Sequence, residues 1–142
     1  MNIIVVTGMS GAGKTVVGNV LEDFGYYCID NIPVRLINQF VDLYLNQEKK
    51  NKKIALIVDV RGCDDFSELI DAYTVIKHTG DEICKLIYLD ASTEVLIKRY
   101  KESRHVHPLV LSKHITLSDA INCERKMLEQ VRAEADHIID TS

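Results

Sequence analysis

The sequence predicts a three-layer α/β/α domain built around a parallel sheet. Short apolar segments alternate with helical patterns, and each apolar segment ends in a small or acidic residue. Strands of this kind are buried on both faces, as they are in parallel sheets. Four of the seven glycines fall within the first eighteen residues, which concentrates special backbone geometry at one place. With 142 residues, 46% of them hydrophobic, we expect one domain over residues 1–142 that folds without disulfides or a metal.

The pattern predicts five strands and five helices. The strands are Asn2–Thr7, Tyr26–Ile29, Ile54–Val60, Lys85–Leu89 and His137–Ile139. The helices are Lys14–Phe24, Val34–Asn46, a segment that begins after the capping box Asp65-x-x-Glu68, Thr93–Ser103 with Ser92 as its cap, and Ser118–Ala135. The first helix carries one apolar stripe, made of Val16, Val17, Val20, Leu21 and Phe24. Such a stripe is typical of a helix that packs on a core.

Composition excludes several classes of protein. No apolar run approaches the roughly 18 residues of a membrane span, and the N-terminus lacks the basic region of a signal peptide, so we expect a cytoplasmic protein without a membrane partner. The four cysteines stand far apart without a C-x-x-C pair, which favours reduced thiols over a zinc site or disulfides. A net charge of −4 gives no general attraction for nucleic acid.

The glycine-rich segment matches G-x-x-x-x-G-K-[ST] at every fixed position. It consists of Gly8, Met9, Ser10, Gly11, Ala12, Gly13, Lys14 and Thr15. An apolar strand precedes it and an amphipathic helix follows it, as a phosphate-binding loop requires. Glycines let the loop curl with its amides converging, because a Cβ would hold a phosphate away. Lys14 is expected to reach the β- and γ-phosphates, and the Thr15 hydroxyl to bind Mg²⁺. A turn that merely joins a strand to a helix has no need of the Lys-Thr pair.

This motif specifies the fold class further, as a P-loop NTPase resembling small kinases, with sheet order 2-3-1-4-5. Acidic residues at the carboxyl ends of the strands are then candidates for the site. Asp59 is best placed to hold Mg²⁺ through water, although it could instead stabilise a turn, and Arg61 could pair with phosphate or with Asp59. Asp30 either orients an acceptor or forms an Asx turn before the next helix. Asp90 fits a turn at the start of a helix, and Asp140 has no assigned role.

Cations gather in the segment from Arg99 to Pro108. In P-loop kinases this region is a mobile lid whose arginines neutralise charge on the transferred phosphoryl group, and Arg104 is the preferred lid cation. The alternative is a solvated helix end with favourable cations. His105 and His107 could chelate a metal, but without further ligands nearby they are better interpreted as ordinary loop histidines.

Several motifs together resemble one family. They are Gly8–Thr15, Leu21–Pro33 with its Asp-Asn-Ile-Pro, Asp59–Arg61, Leu89–Ser92, His107–Leu109, Glu124-Arg125 and Ile138–Ser142. Over essentially all 142 residues the chain resembles the N-terminal domain of the RapZ-like nucleotide-binding proteins, the RNase adapter family. The resemblance implies binding of ATP and GTP with slow hydrolysis. It assigns Gly8–Thr15 to the ATP phosphates and a second segment, made of Asp59, Val60, Arg61 and Gly62, to GTP.

The resemblance also implies a second, C-terminal domain of similar size, which in some members senses an amino-sugar phosphate and engages small RNA. The chain stops at Ser142, where that domain would begin, so RNA or protein partners are expected only through it. One further departure concerns the lid. His105 and Val106 replace two of the arginines that the family usually has before His-Pro-Leu, which weakens the expectation of lid-based catalysis.

The leading hypothesis from the sequence is a regulatory or adapter domain that binds ATP or GTP with Mg²⁺ and hydrolyses it slowly. The alternative is a small-molecule kinase, with Lys14, Asp30 and Arg104 as its catalytic residues. A third hypothesis is an adapter whose nucleotide only stabilises the fold. Neither base preference nor oligomeric state follows from the sequence.

Overall fold

A computed structural model describes residues 2–30, 32–45, 53–58, 67–78, 83–103, 106–107, 109–110 and 114–142. The strands are β1 (Asn2–Gly8), β2 (Tyr27–Asp30), β3 (Lys53–Ile57), β4 (Ile83–Asp90) and β5 (His137–Asp140). The helices are α1 (Lys14–Asp23), α2 (Val34–Leu45), α3 (Ser67–His78), α4 (Thr93–Glu102), α5 (Leu117–Met127) and α6 (Glu129–Glu134). All five strands form one parallel sheet in the order β2-β3-β1-β4-β5, which confirms the predicted topology.

The core lies on β1, β3 and β4, the three inner strands. Side chains such as Ile3, Val5, Leu56 and Leu86 are fully buried there. Burial of one large apolar side chain contributes about 1.5 to 3 kcal/mol to the free energy of folding, so the centre of the sheet is the most strongly stabilised part of the domain. The loop that follows β1 therefore starts from a fixed point at the centre of the sheet.

Helix α1 uses only part of the apolar stripe that the sequence suggested, since Val17 and Leu21 pack against the core. Gly18 also faces the sheet, and a Cβ at that position would lie 2.6 Å from the Cδ1 atom of Ile57. Val16, Val20 and Phe24 are 65%, 46% and 68% exposed. The stripe prediction was wrong for these three residues, because the helix packs through the side that carries Gly18, where glycine allows its backbone to approach β3 more closely than any larger residue would.

Two other expectations about helices can be compared with the structure. The Ser92 hydroxyl accepts a hydrogen bond from the amide of Val95 at 3.3 Å, which confirms the predicted cap of α4. The predicted long helix Ser118–Ala135 is divided into α5 and α6 at Leu128, whose φ and ψ are −92° and 0°. The Leu128 side chain is fully buried at this point. No helix in the described ranges combines the length and the apolar character that a membrane crossing requires.

Candidate nucleotide site

The glycines of the predicted phosphate loop have backbone angles that other residues rarely adopt. Gly8, Gly11 and Gly13 have φ values of 148°, 85° and 104°. Gly8 is also the most crowded, because a Cβ there would lie 2.2 Å from the carbonyl oxygen of Leu89 on β4. Close approach of two backbones thus requires glycine at the first position of the motif, and positive φ favours it at the other two.

Hydrogen bonds within the loop close it into a compact turn. The amide of Met9 donates to the Leu89 carbonyl at 3.1 Å, and the amide of Ala12 donates to the Met9 carbonyl at 3.0 Å. The buried Lys14 side chain crosses this turn, and its Nζ donates to the carbonyls of Gly8 and Met9, both at 3.1 Å. These two bonds to neutral carbonyl oxygens hold the ammonium group against the loop.

Helix α1 begins at the end of the loop. Gly13 is its N-terminal cap, in a left-handed conformation, and no side chain caps the helix. The first amides of a helix have no acceptor within it and carry its partial positive charge, which makes such an end a site for anions. Thr15, in the first turn, is exposed to solvent. The predicted loop residues are thus together at one helix end, next to the end of β1.

A buried carboxylate from a residue far along the chain anchors the loop. Glu124 on α5 accepts hydrogen bonds from the amide of Ser10 and from its hydroxyl, both at 2.7 Å. The Nε2 atom of His107 lies 3.4 Å from the same carboxylate, and the side chains of both residues are 0% exposed. The Nδ1 atom of His107 accepts a hydrogen bond from the amide of Leu109 at 3.1 Å, which fixes the orientation of the ring. His107 is therefore a buried loop residue beside the carboxylate that anchors the phosphate loop.

A second anchor comes from α4 and from the end of β5. Arg99 donates through Nη1 to the Gly11 carbonyl at 3.0 Å and to the Thr141 hydroxyl at 3.1 Å. It also donates through Nη2 to the Thr141 carbonyl. The Thr141 hydroxyl in turn donates to the Ala12 carbonyl at 2.6 Å. Arg99 and Thr141 therefore hold two carbonyls of the loop by hydrogen bonds, and the guanidinium charge of Arg99 lies beside the loop.

Asp90 serves the start of α4, as its sequence context indicated. Its Oδ1 atom accepts from the amide of Ala91 and from Nη1 of Arg125, both at 2.8 Å. Arg132 approaches its other oxygen at 3.5 Å. This carboxylate therefore connects the start of α4 to Arg125 on α5 and Arg132 on α6, which is a structural role.

Asp30 ends β2 and is exposed at the same edge of the sheet as the phosphate loop. It is paired with Ile57 of β3, which is paired with Val6 of β1, so two strand spacings, about 10 Å, separate Asp30 from β1. Nearby, burial raises the pKa of the Cys28 thiol, and the carboxylates of Glu22 and Asp30 raise it further. Asp30 is thus near the loop but not in contact with it in any described hydrogen bond.

Some predicted site residues lie outside the described part of the chain. These are the second nucleotide segment, Asp59, Val60, Arg61 and Gly62, and the lid cation Arg104. Their roles stay predictions. His105 and the Asp65 of the predicted capping box also lie outside the described residues.

Sequence reasoning missed the anchors of the loop. Glu124, Arg99 and Thr141 contact Ser10, Gly11 and Ala12 from positions 88 to 129 residues away along the chain. No local spacing connects residues so distant. Glu124 and Thr141 did fall within the motifs that carried the family resemblance, and this was the one available signal for them.

Comparison with known proteins identifies the family. A family model described as the RapZ-like N-terminal domain matches residues 1–142. The chain belongs to the RapZ-like N-terminal domain family. The resemblance inferred from the motifs is thereby confirmed over the full 142 residues.

Relatives of this RapZ-like domain carry the description nucleotide-binding protein. One from Finegoldia magna is 47% identical over 142 residues, which are 100% of this chain and 49% of that protein. Another, from Staphylococcus epidermidis, is 44% identical over 140 residues, covering 99% of this chain and 46% of the relative. The chain therefore spans about half the length of the curated relatives it matches.

Two kinases of known structure are similar to this chain in fold. Shikimate kinase from Acinetobacter baumannii, in complex with shikimate, is similar with a TM-score of 0.62 and 18% identity, over 99% of this chain and 83% of that one. A gluconokinase from Sinorhizobium meliloti is similar with a TM-score of 0.57, also at 18% identity, over 99% and 83%. At this identity the similarity shows the fold, which is the predicted P-loop kinase-like architecture.

Proposed function

We propose that this RapZ-like domain binds ATP and GTP together with Mg²⁺ and hydrolyses them slowly, as a regulatory or adapter module in the cytoplasm. The observation that carries the proposal is the loop from Gly8 to Thr15, with Lys14 across it and the start of α1 beneath it. The description of the relatives as nucleotide-binding proteins supports the same conclusion.

In this proposal the phosphates occupy the concave side of the loop. Lys14 exchanges the Gly8 and Met9 carbonyls for β- and γ-phosphate oxygens, because an anionic acceptor makes a stronger bond with an ammonium group than a neutral one. The guanidinium of Arg99 adds positive charge beside the loop. Slow turnover fits a site in which the described cations bind phosphate and no base that activates water is identified among the described residues.

Magnesium fits the residues that the loop presents. Mg²⁺ takes oxygen ligands and keeps several waters, and Thr15 offers an exposed hydroxyl directly after Lys14. Thr15 and Asp59 would hold the ion, which would supply neutralising charge to the phosphates. The second segment, from Asp59 to Gly62, would contribute to binding of GTP.

The Lys14→Ala variant tests phosphate binding. Truncating one partner of a buried charge pair costs about 2 to 5 kcal/mol, so affinity for both nucleotides should fall at least about 30-fold. Calorimetric titration with ATP and with GTP, each with Mg²⁺, measures this effect. Lys98→Ala is the matched control, since Lys98 is exposed on α4 and its removal should leave both affinities unchanged. Equal affinities for Lys14→Ala and the unmodified protein would overturn the proposal.

A kinase is the second candidate, because the exposed Asp30 carboxylate lies at the same sheet edge as the loop. There Asp30 would orient an acceptor hydroxyl and Arg104 would neutralise the transferred phosphoryl group. Single-turnover assays with a panel of metabolites distinguish the two. Loss of ATP that depends on an acceptor and releases no matching free phosphate would favour the kinase. Release of phosphate in proportion to ATP, with or without an acceptor, would favour hydrolysis.

A further inference from the structure

The buried polar side chains of the domain gather at the phosphate loop. Among the described residues they are Thr7, Ser10, Lys14, His107 and Glu124, each at most 9% exposed. Burial of a polar or charged group costs free energy unless hydrogen bonds replace those that it made with water. The bonds of Ser10, Lys14 and Glu124 meet at one peptide group, which joins Met9 to Ser10. That peptide group is therefore a point at which a distant segment acts on the loop.

The Met9–Ser10 peptide group lies between two opposite charges. Its N–H, on Ser10, donates to the Oε1 atom of Glu124 at 2.7 Å. Its C=O, on Met9, accepts from the Nζ atom of Lys14 at 3.1 Å and from the amide of Ala12 at 3.0 Å. Because a trans peptide group is planar, its N–H and its C=O point in opposite directions and turn together. The Glu124 carboxylate on one side therefore sets the direction of the Met9 carbonyl on the other.

The carboxylate of Glu124 has little freedom to turn. Its other oxygen, Oε2, accepts from the Ser10 hydroxyl at 2.7 Å and lies 3.4 Å from the Nε2 atom of His107. This Nε2 atom makes no hydrogen bond among the described residues, so its contact with the carboxylate is electrostatic. The His107 ring is held by the Leu109 amide and lies beside the Tyr100 ring, with 5.4 Å between the two ring centres. Both carboxylate oxygens are thus engaged from fixed directions.

The direction of the Met9 carbonyl affects two contacts that shape the loop. Through the Ala12 amide it closes the turn, and it is one of the two carbonyls that hold the Lys14 ammonium group. A lysine side chain loses much conformational freedom when it is fixed, so a loop that already holds it lowers the cost of ordering it on a phosphate. Rotation of this one peptide group would loosen the turn and Lys14 together.

The charge of Glu124 acts against anion binding at the same place. A carboxylate near bound phosphates repels them, and the repulsion is strongest where water is excluded. A neutral side chain at position 124 would remove the repulsion, but it would also remove the acceptor that orients the peptide group. Repulsion and positioning therefore predict opposite changes in nucleotide affinity.

We propose that Glu124 is a positioning residue of the nucleotide site, which acts on Lys14 through the Met9–Ser10 peptide group, and that this effect exceeds its repulsion of phosphate. The inference rests on the proposed binding of nucleotide. At metal sites, loss of a residue that orients a ligand lowers affinity about 10- to 100-fold. We expect Glu124→Ala to bind ATP and GTP, each with Mg²⁺, about tenfold less tightly or weaker still. Glu124→Gln keeps one acceptor oxygen and should show a smaller loss.

Calorimetric titration measures these affinities, at a temperature where circular dichroism shows each variant to be folded. Glu129→Ala is the matched control, since Glu129 is exposed on α6 and its removal should leave both affinities unchanged. If Glu124→Ala does not fold, Glu124→Gln reports the same sign. NMR of the unmodified protein gives a test without substitution. An amide proton in a short bond to a carboxylate resonates at low field, and that of Ser10 should stay there when nucleotide saturates the site.

Lower affinity for both nucleotides in the folded variants supports the proposal. Unchanged affinity would mean that Glu124 serves stability alone, and higher affinity would mean that repulsion dominates; either result overturns the positioning role. A shift of the Ser10 amide proton to higher field on saturation would also overturn it, because the bond to Glu124 would then be absent from the complex. If the unmodified protein bound neither nucleotide, the proposed function itself would be refuted, and this inference with it.

Discussion

Removal of the Glu124 carboxylate should destabilise the domain far more than removal of an average surface charge. The side chain is 0% exposed and accepts two hydrogen bonds of 2.7 Å from Ser10. In Glu124→Ala the amide and the hydroxyl of the buried Ser10 lose the acceptor of their hydrogen bonds. Each hydrogen bond to a charged group contributes about 1.5 to 3 kcal/mol, so the loss of both bonds to Ser10 costs at least about 3 kcal/mol. We therefore expect the free energy of unfolding to fall by about 3 to 5 kcal/mol.

Urea unfolding followed by circular dichroism measures this change. Glu102→Ala is the matched control, since Glu102 is exposed on α4 and its loss should change stability by less than about 0.5 kcal/mol. Glu124→Gln keeps the shape and one oxygen acceptor, so it should lose only about 1 to 2 kcal/mol. A loss below about 1 kcal/mol for Glu124→Ala would refute the reasoning, because it would mean that the two bonds to Ser10 add almost nothing to the fold.

Two further predictions concern backbone space and alkaline pH. Gly8→Ala should lower the free energy of unfolding by about 3 kcal/mol or more, because its Cβ would lie 2.2 Å from the Leu89 carbonyl oxygen. Gly25→Ala is the control: its Cβ would meet no atom within 4 Å, and only its φ of 89° is unfavourable. In the same urea assay it should lose only about 1 to 2 kcal/mol. Burial and the hydrogen bond to Asp136 raise the pKa of Tyr73 above its ordinary value of about 10. The phenol therefore stabilises the fold below about pH 10, and this contribution disappears as the pH rises. Unfolding at roughly pH 8 and roughly pH 11 should show a smaller difference for Tyr73→Phe than for the unmodified protein; an equal difference would contradict the assignment.

The phosphate loop and the sheet order were predictable because their signals are local or topological. Gly8, Gly13 and Lys14 are recognisable by spacing alone, since the loop geometry depends on residues that are adjacent in sequence. The cap at Ser92 follows from the same kind of local rule. The order of the strands was predicted from the likeness of the loop motif to that of small P-loop kinases, and the sheet confirms it.

The sequence by itself determined the kinds of element, their order and the loop that ends β1, because each depends on contacts among neighbours in the chain. Only the tertiary structure decided that Glu124 holds Ser10 across 114 residues and that Thr141 reaches Ala12 across 129. It also decided which side of α1 meets the sheet. Apolar periodicity favours the stripe that includes Val20, but the space above Ile57 admits only the backbone at Gly18. Shape complementarity between distant segments made that choice, and no single segment carries that information.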